Sequence, residues 1–258
     1  MFVQTLKSEW TKLWSVNSIY WTTGIYLVLC VGFSMLTALL VRMDPNQALS
    51  FSVDNLLVLV GQAGFLVLAI QAVLVVTNEY GNNYQSATFL ATPNRPLVAL
   101  AKWLIYALFA AALTFVTVLL CLYMAKFIVG GPIGDSLDVW GDERSQRFMW
   151  LYPFQAVVYV TVGQALGWLT RSTAGSIAIV LLTSMIEGLL SLLPKVGEHI
   201  FYLMPFSNFN AFMNKRDIVH MLSGKEAPWG WEGSLWYFLA LLAVLVICSM
   251  MSLQKRDV

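Results

Sequence analysis

The chain has 258 residues, of which 59% are hydrophobic and only 11% charged, and its formal net charge is +1. A soluble domain carries roughly 25% charged and 45–50% apolar residues, so there is too little charge here to cover a water-facing surface of this size. A charge near zero also excludes the broad basic footprint of a nucleic-acid-binding protein.

Taken from the start, Phe2, Leu6, Trp10, Leu13 and Trp14 fall on one helical face, and Gln4, Lys7, Ser8, Thr11, Lys12 and Ser15 fall on the others. This predicts an amphipathic helix over residues 1–17, lying in the cytoplasmic membrane interface. The apolar block after it is too long for a signal-peptide core and has no small-residue cleavage site, so it is expected to remain in the protein.

Six blocks approach the roughly 20 apolar residues that cross a bilayer as a helix. They are Ile19–Val41, Leu56–Val76, Trp103–Ala125, Met149–Leu169, Thr173–Leu193 and Leu235–Met251. Helix is expected because a spanning segment in lipid must satisfy its own backbone polar groups, and the short alternating segments of a β-barrel are absent. Only Thr170, Arg171 and Ser172 separate the fourth and fifth blocks, which predicts a tight hairpin. Trp10, Trp14, Trp21, Trp103, Trp150, Trp229, Trp231 and Trp236 lie near block edges, where amphipathic rings favour the headgroup region. Cys30, Cys121 and Cys248 each sit inside an apolar block and read as small buried hydrophobes.

An even number of spans puts both termini on one side. The short flanks there hold Lys7, Lys12, Arg95, Lys102, Arg171, Lys255 and Arg256, whereas the opposite loops hold Asp44, Asp54, Asp135, Asp138, Asp142 and Glu143. The positive-inside rule then places both termini in the cytoplasm.

Two connections are more than simple reversals. In the cytoplasmic segment 78–102, Asn82 and Asn83 are expected to cap a short helix reaching about Leu90, with Pro93 and Pro96 stopping it. In the outer segment 194–233, Ile200–Phe206 and Phe209–Asn214 are apolar but too short to span, which predicts re-entrant or interfacial helices. Pro205 is expected to break this segment and Ser207 to cap its second helix. The expected fold is an all-α integral membrane protein, a single transmembrane domain over residues 1–258. It has six transmembrane helices, the N-terminal interfacial helix, and short re-entrant outer helices before the last span.

Polar residues at lipid depth are candidates for function. Glu187 lies roughly 10 Å below the outer edge of its span, at 1.5 Å rise per residue. It reads as a polar point on a transport path, a support for the re-entrant segment, or a carboxylate closing hydrogen bonds between helices. Gln62, Gln71, Gln155 and Gln164 read as interhelical hydrogen-bonding groups or as path-lining groups. Gln62 and Gln71 are nine residues apart, about 180° around an ideal helix, so one of them should face a neighbouring helix. His199 and His220 have no Cys or acid at ligand spacing, and no metal site is expected. Intramembrane enzymes need acid–His, H-E-x-x-H or Ser/Lys clusters, which this chain lacks, so no enzymatic activity is expected.

Two stretches carry a resemblance. Residues 6–21, LKSEWTKLWSVNSIYW, and the pattern Glu79-Tyr80, Leu90-Ala91-x-Pro93-x-Arg95 and Lys102 resemble the opening helix and cytoplasmic loop of ABC-2 type permease subunits of ABC exporters. The chain departs from that pattern at Asn83-Tyr84, where Gly-Thr is frequent, and at Trp14 and Asn17, where the family is often more basic. The resemblance implies a subunit of the cell membrane that pairs with a second permease chain, identical or related, and docks a separate cytoplasmic ATPase. Glu9, Lys12, Glu79, Tyr84 and Arg95 would form the docking region around a coupling helix, and Gln62, Gln71 and Glu187 would be transport-path candidates. ATP and Mg would be bound by the partner. This chain has no cofactor site of its own: its only Gly-Lys, Gly224-Lys225, is followed by Glu226 and preceded by Val219 where a phosphate-binding loop needs its first glycine. The alternative reading is an ATP-independent channel or a scaffold subunit, which would have no ATPase partner.

Overall fold

The computed structural model describes residues 2–44, 51–81, 84–91, 94–191, 203–214 and 229–255. Helices account for its regular structure, and no strand occurs among the described residues. In chain order they are α1 (Phe2–Ser15), α2 (Asn17–Met43), α3 (Val53–Leu56), a π-helical turn (Val60–Gly64) running into α4 (Phe65–Gly81), α5 (Tyr84–Ala91) and α6 (Arg95–Val129). After these come α7 (Gly131–Asp135), α8 (Glu143–Thr170), α9 (Thr173–Ser191), α10 (Pro205–Asn214) and α11 (Gly230–Lys255).

Four helical stretches are long and apolar enough to cross a membrane: Asn17–Met43, Val60–Gly81, Arg95–Val129 and Gly230–Lys255. They contain most of the first, second, third and last apolar blocks. The outward faces are apolar too: Val28 is 74% exposed, Leu108 61% and Ile247 58%, on surfaces that water would not tolerate over such lengths. Cys248 is exposed on α11 among them, whereas Cys30 and Cys121 are buried as expected. The α8 helix has 28 residues, but Gln155, Gln164 and its charged first turn dilute its apolar character. The α9 helix, with 19 residues, is shorter than each of the four membrane-length stretches.

Helix boundaries differ from the apolar blocks where capping chemistry takes over. Pro96 does not stop a helix; it stands in the first turn of α6, where its missing N–H is harmless. Asn94 caps that turn by accepting from the Leu97 N–H at 3.3 Å. With α4 running to Gly81 and α6 starting at Arg95, helical residues occupy both ends of the 78–102 segment. The short helix expected there is α5; Asn82, Asn83 and Pro93 lie outside the described residues.

The chain divides within α8 into two compact units, residues 1–164 and 165–257. In the first, α2 and α6 pack side by side along Tyr26, Cys30, Ser34 and Ala38 on one and Tyr106, Ala110, Thr114 and Cys121 on the other, all buried. The Ser34 hydroxyl donates across this seam to the Cys121 carbonyl at 3.1 Å. Two glycines let helices approach closely, the usual device of helix pairs in lipid. A Cβ on Gly64 would stand 2.9 Å from the Cys30 Sγ, and one on Gly163 would stand 2.5 Å from the Ala69 carbonyl oxygen. An ion pair between Arg144 and Asp54 links α8 to α3.

In the second unit, a short turn joins the end of α8 to α9: Arg171 takes a left-handed conformation (φ 55°), and the Ser172 N–H donates to the Thr170 hydroxyl. The α10 helix packs on α11 through Phe209 and Phe238, whose ring centroids are 4.8 Å apart. The Trp229 and Tyr237 rings stack at 5.3 Å, and Trp229 donates to the Asn208 side chain.

Gly163→Ala is expected to force α8 away from α4, because the new methyl meets backbone rather than a movable side chain. Strain of this kind costs about 1–3 kcal/mol; unfolding by urea titration in micelles should show it, and an unchanged midpoint would refute the close approach.

Candidate functional site: four charges joining α1, α4 and α6

The α1 helix has two distinct stripes. Phe2, Trp10 and Trp14 are exposed, in keeping with an apolar face available to a membrane interface. Thr5, Glu9 and Leu13, at i, i+4 and i+8, are buried against the rest of the protein. This second stripe carries Glu9 inward.

There Glu9 meets a lysine from α6. The Lys102 Nζ donates to the Glu9 Oε2 at 2.6 Å and to the Glu79 Oε1 of α4 at 2.9 Å. The Lys12 Nζ donates to the Glu9 Oε1 and the Glu79 Oε1, both at 2.9 Å, and to the Thr88 hydroxyl of α5 at 3.1 Å. Two carboxylates and two ammonium groups thus share one site of zero net charge, and each charge touches both charges of opposite sign. The Lys102 and Glu9 side chains are each only 3% exposed; that of Lys12 is 36% exposed. Burial works against the charge on Lys12, but the Glu79 and Glu9 carboxylates outweigh it and hold its pKa above the ordinary lysine value. The sign is that of a raised base: its favourable contribution is present at neutral pH and is lost only as pH rises through that elevated value.

Of the five residues expected to dock a partner, three (Glu9, Lys12 and Glu79) are therefore spent on one another and on Lys102. Glu9 in particular is buried, and its carboxylate faces α6 rather than the surface. Tyr84 is 65% exposed at the start of α5, and Leu90 on the same helix is 85% exposed. Arg95 lies in the first turn of α6, about two turns before Lys102. Lys102, counted in the sequence analysis among the positively charged flanks, is buried and ion-paired. Its place in the run ALAKWLIYALF was the available signal, since a cation embedded among apolar residues demands an anion.

The other polar candidates are dispersed. Gln71 is buried between helices: its amide donates to the Ile19 carbonyl and the Thr23 hydroxyl of α2, both at 3.1 Å, and its oxygen accepts from the Tyr106 hydroxyl of α6 at 2.7 Å. Gln62 is exposed. Gln155 and Gln164 are buried, and the Gln164 amide has no hydrogen-bond partner among the described residues. His199 and His220 lie outside the described residues.

Glu187 supports the start of α10. Its carboxylate accepts from the Phe206 N–H at 3.1 Å, the Ser207 N–H at 2.7 Å and the Ser207 hydroxyl at 2.9 Å. These N–H groups belong to the first turn of α10, which has no intrahelical acceptors for them, and a carboxylate there also suits the helix dipole. Pro205 opens this helix after the non-helical Met204, and Ser207 lies inside the helix as a donor rather than ahead of it as a cap.

No protein-family model matches the chain, and no curated protein matches it.

Two substitutions probe these groups. Lys102→Met leaves two carboxylates to one lysine in a buried site and is expected to cost about 3–5 kcal/mol, whereas Glu9→Gln with Lys102→Met, which removes one charge of each sign, should cost less than the sum of the single changes. An additive double-mutant cycle would mean the four charges do not act as a unit. Glu187→Ala should cost about 1–3 kcal/mol through its orphaned donors, and amide exchange at Phe206 and Ser207 should accelerate first.

Proposed function

We propose that this chain is the membrane-spanning subunit of an ATP-driven exporter of the ABC-2 type. It works as a dimer, identical or related chains together enclosing the translocation path, and docks a separate cytoplasmic ATPase. In this reading α2, α4, α6, α8, α9 and α11 are six spans, both termini are cytoplasmic, the protein is multi-pass in the cell membrane, and α5 is the coupling helix. The chain contributes no catalysis; ATP and Mg belong to the partner.

The observation that carries the proposal is the charge cluster. Glu9, Lys12, Glu79 and Lys102 belong to the two stretches on which the resemblance rests, and although up to 93 positions apart they meet in one site. A helix lying beside the membrane and a loop helix are thereby joined to two membrane-length helices. That is what a subunit needs if force applied from the cytoplasm is to reach its spans. The exposed Tyr84 and Leu90 side chains supply apolar contact points on α5, while the buried charges behind them supply rigidity. Within this division of labour Glu9, Lys12 and Glu79 position the docking surface, and Tyr84 and Arg95 stand where a partner would meet it.

Purification of the intact chain in mild detergent, followed by mass spectrometry, tests the proposal: a stoichiometric cytoplasmic ATPase is expected. Tyr84→Ser with Leu90→Ser should release that ATPase and abolish ATP-driven transport while the folded permease is still recovered from the membrane. An intact chain that reproducibly carries no ATPase would favour the channel or scaffold reading.

A further inference from the structure

Beneath the charge cluster lies a cavity of about 300 Å³ between α1, the start of α2, α4 and α6. Its walls are apolar, formed by Leu13, Val16, Ile19, Leu74, Val75 and Ile105. Its other end is polar and takes in Lys12, Glu79 and Lys102, with Tyr84 and Ser15 at an exposed rim. The volume stands at the lower limit of the roughly 300–1,000 Å³ typical of pockets for small organic ligands. One aliphatic chain fits such a space better than a whole two-chained lipid.

The polar end has unspent hydrogen-bonding capacity of both signs. Lys102 uses two of its three N–H donors on Glu9 and Glu79, and Glu79 engages only its Oε1 among the described residues. Lys102 and Glu79, each with hydrogen-bonding capacity beyond these contacts, thus line one cavity at a site of zero net charge. An anionic head alone would give the neutral site a net negative charge, and a cationic head alone would give it a net positive one. A head carrying both charges leaves it neutral.

We propose that this cavity binds a zwitterionic amphipath, with one acyl chain between α1, α4 and α6, an anionic group on Lys102 and a cationic group on Glu79. The occupant is either a free single-chain amphipath or one chain of a bilayer lipid, since both present the same chemistry. The site rests on the cavity and its lining, so it holds whether or not an ATPase docks.

The test uses the full chain in nanodiscs of phosphatidylglycerol, whose head carries no cation. The probe is a lauroyl lysophosphatidylethanolamine with a photoreactive diazirine in its chain. Saturable labelling is expected at Leu13, Leu74 or Ile105, displaced by unlabelled lysophosphatidylethanolamine but not by lysophosphatidylglycerol. Displacement by two-chained phosphatidylethanolamine as well would assign the occupant to the bilayer; its failure would assign the site to a free amphipath. Leu74→Trp and, separately, Ile105→Phe should each raise the half-saturating probe concentration at least tenfold by filling the space, while Val116→Trp, on an exposed face of α6, should not. Labelling that rises without saturation, equal displacement by the anionic lysolipid, or insensitivity of a folded cavity-filling variant would each overturn the proposal.

Discussion

An ammonium group two turns into a helix that carries no acidic residue has to be neutralised from outside that helix. Lys102 is in that position on α6, and Glu9 and Glu79 answer it from α1 and α4. Taking several ions out of water carries a large desolvation penalty, and a single pair recovers it poorly. Here each of four charges meets two of opposite sign, so the Coulombic return is shared over four contacts instead of one. The consequence for the fold is geometric. With Glu9 anchored inward, α1 cannot rotate about its axis, and its exposed Phe2, Trp10 and Trp14 are committed to the outside.

The packing elsewhere follows the rules of helices that meet without a hydrophobic driving force. The α2–α6 seam is made of small and weakly polar side chains, with the Ser34 hydroxyl and the Cys121 thiol reaching opposing backbone carbonyls. Gln71 is held by α2 and α6 at once, so its amide acts as a fastener inside the first unit. Glu187 plays the comparable part in the second unit, where a carboxylate from one helix completes the first turn of another.

Much of the helical layout could be read from the sequence because lipid imposes a long, local signal. A block such as Trp103–Ala125 announces α6 whatever its neighbours do. The errors arose where the signal is not hydropathy. Pro96 was read as a stop because proline breaks a helix interior, but Asn94 caps the turn and makes that position a start. Gln71 contacts neighbouring helices and Gln62 is exposed, but Gln62 lies in the π-helical turn, so the ideal-helix angle used for the pair does not describe their separation. The charge cluster was harder. Glu9 lies on an acceptable polar face of an amphipathic helix, and nothing within sixteen residues reveals that a lysine 93 positions later needs it. Partners separated that widely are a property of the packing, which one sequence without its fold does not display.

The ties within the cluster are unequal, and the inequality bears on how α5 relates to the rest. Lys12 joins Glu9 and Glu79 by ion pairs, while α5 is joined to Lys12 by one neutral acceptor, the Thr88 hydroxyl. Losing a hydrogen bond to a neutral partner costs far less than leaving a buried charge without its counter-ion. The contact of α5 with the cluster is therefore weaker than those that tie α1, α4 and α6 together, where each charge keeps a second partner of opposite sign if one contact opens. Ion pairs thus hold α1, α4 and α6 together at this level, and α5 meets the cluster through a neutral hydrogen bond. The cavity lies among α1, α4 and α6, with Tyr84 of α5 at its rim, so a molecule seated there would touch the ion-paired helices and α5 at the same time.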